Sequence, residues 1–125
     1  MGTLKLKRIY DPPEDGDGLR ILVDRLWPRG VSREGAALDR WDKAVAPSKE
    51  LRQWFGHQPD RFTAFAEAYR LELAASPEAA AFARFCAAQP DSQAITLLYA
   101  ARDPRCNHAV VLQAWLGEAM KAAAR

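Results

Sequence analysis

The arginines are the residues most able to do chemistry in this chain, and they gather at a few places. Thirteen of its eighteen cationic side chains are arginine, the cation whose planar fork suits two-point contacts to carboxylate or phosphate. Two segments combine arginine with other polar groups. One is Asp24-Arg25-Leu26-Trp27-Pro28-Arg29-Gly30; the other is Arg102-Asp103-Pro104-Arg105-Cys106-Asn107-His108. A third, running from Ser48 to His57, sets Arg52 one helical turn beyond Ser48 and His57 just past a helix end. Together they predict a pocket for a small anionic ligand. Arg25, Arg29 and Arg102 are its clamp; Ser48, Arg52, His57 and Asn107 are further ligand-binding candidates. Asp24 and His108 are available for proton transfer.

Convergence of these segments depends on the elements that carry them. Residues 4–10 alternate apolar and polar as a half-buried strand does, and Ile21-Leu22-Val23 centres a second strand at 20–27, apolar enough to be covered on both faces. A third strand is expected at 94–100, and three being a minimal sheet, a further strand is expected as well. Between them lie helical signals. Ser48 caps a short helix ending at Gly56, Pro59 opens a longer one, Ser76-Pro77 starts another, and Asn107 caps the last. Strands separated by helices predict an α/β fold: one domain with a small, mostly parallel sheet and helices packed on it. Ligands of such sheets bind beyond the carboxyl ends of the strands, which is where Arg25 and Arg102 fall if their strands are neighbours.

Composition narrows the function classes. A chain of 125 residues fits one domain. Its net charge of +2 implies no partner, and without a recognisable nucleic-acid motif it points away from RNA or DNA. No apolar run reaches membrane-spanning length and the first residues contain no signal-like stretch, so a cytoplasmic location is expected. Two cysteines without CxxC spacing fit a reducing compartment. Cys86 reads as core. Cys106 precedes a helix flanked by Arg105 and His108, yet no glycine or arginine follows it as a phosphatase-type loop requires. The histidines lack metal-ligand spacing and no nucleotide loop is present, so neither metal nor cofactor is expected. Tryptophans 27, 41, 54 and 115 are expected in the core.

Several motifs belong together. Lys7-Arg8-Ile9-Tyr10-Asp11-Pro12, Asp17-Gly18, Val23-Asp24-Arg25-Leu26-Trp27-Pro28-Arg29-Gly30, Trp41-Asp42-Lys43 and Asn107-His108-Ala109 span nearly the whole chain. In this pattern the chain resembles the domain of unknown function 488 family, of the YeaO-like type. The resemblance implies no particular activity, and the family pattern features the Asn-His pair without requiring a cysteine before it. Three readings therefore stay open: a binder of a small anion, enzymatic or not; an interaction protein whose Arg/Asp groups form an internal network; and a nucleic-acid module. The oligomeric state is not legible. Arginines already paired with carboxylates would favour the second reading.

Overall fold

The computed structural model describes residues 2–123. Four strands form one sheet in the order β1-β4-β2-β3: β1 (Leu4–Arg8), β2 (Leu19–Leu22), β3 (Arg40–Trp41) and β4 (Ile95–Tyr99). Every pairing is parallel, with Leu6 opposite Leu97 and Leu97 in turn opposite Ile21. The α/β class is as the sequence predicts, and the fourth strand is the two-residue β3 at the edge. Five helices accompany the sheet: α1 (Arg33–Ala36), α2 (Lys49–Phe55), α3 (Phe62–Ala75), α4 (Pro77–Ala87) and α5 (His108–Ala123).

Period-two alternation in the central strands divides the core into two layers. Ile21, Val23, Ile95, Leu97 and Tyr99 face a large cluster built by α3, α4 and α5 around Phe65, Tyr69, Phe82, Leu112 and Leu116. Leu22 and Leu98 point the other way, onto Ile9 and Ala36, with Trp27, Val31 and Trp41 packed alongside. The near-continuous apolar runs of β2 and β4 thus follow from burial on both faces.

Local chemistry sets the ends of the elements. Ser48 and Ser76 accept the backbone N–H of Leu51 and Ala79 and so cap α2 and α4. Pro59 opens a 3-10 turn, Pro59–Arg61, and α3 begins only at Phe62. The strands are shorter than their apolar patterns: β2 stops at Leu22, so Asp24 through Trp27 lie in the loop beyond it. Gly18 is the tightest approach, because a Cβ there would stand 2.1 Å from the carbonyl oxygen of Ala94 and its φ is +65°. The tryptophans depart from expectation. Trp54 is exposed and Trp27, Trp41 and Trp115 are only half-buried. Indole N–H groups explain two of these positions, since Trp27 donates to the Val31 carbonyl and Trp41 to that of Asp24, both at 2.7 Å.

Candidate functional site

The parallel pairing of β2 with β4 brings the ends of both strands to one place, and a cavity of about 620 Å³ opens there. Asp24, Arg25 and Leu26 after β2 form one side, and Ala100 through Asp103 after β4 form the adjacent side. Asn107 and His108 at the start of α5, Ala46 and Pro47 before α2, and Arg52, Phe55, His57 and Phe65 complete the lining. The volume lies in the range of small-molecule sites, and the mixture of apolar wall with a few polar groups is also typical of them.

Seven of the nine residues singled out from sequence meet here: Asp24, Arg25, Arg52, His57, Arg102, Asn107 and His108. Arg29 and Ser48 do not. Gly30, at φ +78°, turns the chain after Pro28 and leaves Arg29 exposed on the surface, where its carbonyl accepts the hydroxyl of Tyr10 at 2.9 Å. Ser48 is committed to structure. Its hydroxyl donates to Glu72 at 2.6 Å while accepting the Leu51 N–H, and its own N–H donates to the same carboxylate at 2.9 Å.

The cavity arginines have a common property. Among the described residues, Arg25, Arg52 and Arg102 make no ion pair. Arg25 donates through Nε and Nη2 to the carbonyls of Ala46 and Pro47, which tethers the segment leading into α2 and leaves Nη1 uncommitted. The side chains of Arg52 and Arg102 have no hydrogen-bond partner among the described residues. His57 reaches the cavity because Gly56 and His57 both adopt left-handed backbone, φ +51° and +57°. A non-glycine residue in that region is strained by roughly 1–2 kcal/mol.

Asp24 and His108 form the polar floor. The Ala100 N–H donates to Asp24 Oδ2 at 3.1 Å. Nε2 of His108 lies 3.1 Å from both the Val23 carbonyl and Asp24 Oδ1, with its N–H directed at the carbonyl. Oδ1 is buried and receives no hydrogen bond among the described residues; the ring edge of His108 lies beside it. Asp24 therefore pairs with neither Arg25 nor Arg102. Asn107 serves as the cap of α5: its Oδ1 accepts the Val110 N–H and its Nδ2 donates to the Asp103 carbonyl. Both polar atoms of this buried side chain are thus engaged, and the start of α5 borders the cavity.

Sequence reasoning missed Asp103 and the apolar wall of Phe55 and Phe65. Asp103 Oδ1 accepts the N–H groups of Arg105 and then Cys106, and these bonds hold its carboxyl below the ordinary range. An aspartate followed by proline signals such a turn. Phe55 and Phe65 stack with ring centres 4.3 Å apart, and nothing in their spacing along the sequence shows that one side of the stack borders an opening. Cys86 is core as expected, with burial pushing its thiol up to about 12.

Comparison with known proteins places the chain. A family model described as the inactive DUF488-N3 subclade matches residues 3–125. The uncharacterized protein YeaO of Escherichia coli (strain K12) is 46% identical over 115 residues, 91% of this chain and 96% of that protein. The uncharacterized protein Rv3073c of Mycobacterium tuberculosis (strain ATCC 25618 / H37Rv) is 47% identical over 70 residues, 56% of this chain and 59% of its own length. No solved structure matches significantly. With the match running over nearly its whole length, the chain belongs to the inactive DUF488-N3 subclade.

Proposed function

We propose that this chain binds a small molecule bearing a phosphate or carboxylate group in the cavity beyond β2 and β4, as a binding protein and not as a catalyst. The observation that carries this reading is the set of three cavity arginines without a carboxylate partner among the described residues. Guanidinium groups that share a partly apolar cavity repel one another, and an anion between them relieves that repulsion while satisfying their donors. The first N–H groups of α5 add donors of the same sense. The apolar wall of Phe55 and Phe65 gives room for a body larger than the anionic group. Absence of turnover is favoured by the subclade's own description as inactive.

The test is a thermal-shift panel of phosphate esters, nucleotides, dicarboxylates and short RNA against wild type and the double variant Arg52→Ala/Arg102→Ala. A bound ligand at a hundred times its dissociation constant raises the wild-type melting temperature by roughly 8 °C. The double variant, whose replaced side chains make no hydrogen bond or ion pair among the described residues, keeps the melting temperature of the unliganded wild type and loses the shift. An equal shift in both proteins places the ligand elsewhere. Silence in both returns the cavity to a structural role.

A further inference from the structure

The orientation of His108 restricts which anions the cavity accepts. Both groups facing Nε2, the Val23 carbonyl and the Asp24 carboxylate, are hydrogen-bond acceptors at 3.1 Å. Neither can donate, so Nε2 must carry the ring proton. When the ring is neutral, its lone pair is on Nδ1. That atom has no hydrogen-bond partner among the described residues, and the ring lines the cavity that holds Arg25, Arg52 and Arg102. The remaining groups around the ring do not alter the assignment. Tyr69 of α3 lies 6.4 Å away, centre to centre, with its hydroxyl already donated to the Val45 carbonyl. Arg25 is turned to the carbonyls of Ala46 and Pro47.

We infer that His108 is a specificity-determining acceptor: the ligand bound by the arginines also carries a hydrogen-bond donor beside its anionic group, as hydrogen phosphate or a hydroxylated phosphate or carboxylate does. This rests on the anion-binding reading above and adds a selection to it. An oxyanion without a proton sets its own lone pairs against that of Nδ1 and leaves a cavity acceptor unpaired, which is disfavoured whatever the arginines contribute.

Inorganic phosphate and sulfate make the simplest pair. At roughly pH 8 both are dianions of similar shape, and only phosphate keeps a proton. Histidine ¹⁵N spectra of the wild-type protein, recorded free and during titration with each anion, read the ring and the affinity together. The expected result is a proton on Nε2 and a bare Nδ1 in the free protein, with phosphate bound about tenfold more tightly than sulfate. In His108→Ala that preference disappears; the wild-type spectra decide the matter if this variant does not fold. A proton on Nδ1 in the free protein overturns the inference. So does equal affinity for the two anions; if Arg102→Ala then weakens both, the anion site stands and only the selection falls. Failure of both anions to bind the wild type removes the site and the selection together.

Discussion

Strand β2 has a charged region at each end, and the two are built in opposite ways. At its start, Arg20 is buried and fully engaged. Its Nη1 meets Asp17 Oδ2 at 2.5 Å and its Nη2 donates to the Ala36 carbonyl at 2.9 Å. Lys7 joins the same carboxylate at 3.1 Å and Glu14 at 2.7 Å. Beyond its far end, Arg25 shares a cavity with Arg52 and Arg102, and none of them is ion-paired with a carboxylate among the described residues. Buried charges are retained where they are paired and hydrogen-bonded. The first region is therefore a finished part of the fold. The second holds arginines that are half-buried or exposed and that no carboxylate among the described residues pairs, which leaves them open to an outside anion.

The largest effect that separates the two regions is expected from Asp17→Ala. Removing this carboxylate leaves the Arg20 guanidinium buried without its counter-charge and destabilises the protein by about 3–5 kcal/mol, measured by urea unfolding. A loss no larger than that of a surface substitution would break the contrast, because the network would then not be holding the fold.

Acid should expose the same asymmetry. Burial raises the Asp17 carboxyl, but hydrogen bonds from the Glu14 N–H, Lys7 and Arg20 outweigh it and set the group below its ordinary value. A carboxyl that is more acidic folded than unfolded contributes stability above its unfolded value and loses it as pH falls through the folded one. Stability of the wild type should thus decline below about pH 4, and Asp17→Asn should flatten that decline. An unchanged acid limb in the variant would assign the decline to other carboxylates.

A smaller effect sharpens the comparison at the cavity's border. Ser48→Ala removes a helix cap and should destabilise by about 1 kcal/mol while leaving anion affinity within about twofold of wild type, since the hydroxyl is turned to Glu72. A larger fall in affinity would show that the cap orients Arg52 as well.

How much of this was legible in the sequence follows from the range of each interaction. The apolar runs at Ile21–Val23 and Ile95–Leu98, the serine caps and the prolines act locally, so strands, helices and the parallel arrangement could be read directly. The meeting of Arg25 and Arg102 at one cavity is legible because both follow strands that turn out to be parallel neighbours. Arg29 was misplaced by a turn, and Ser48 by a carboxylate 24 residues away. Neither is visible from spacing. Nor is the difference between Arg20, which meets a buried aspartate, and Arg25, which meets only carbonyls. Both look alike as letters beside an apolar run.

The most direct test asks which end of β2 receives an anion. Backbone amide and arginine Nε–H spectra of the full chain, recorded during titration with inorganic phosphate, would map the contact. The account predicts shifts at Arg52 and Arg102, at residues 24–26 and 100–103, and at the first N–H groups of α5, with the signals of Lys5, Lys7 and Asp17 unmoved. Shifts centred on Lys5 and Lys7, or none at the cavity arginines, would contradict it.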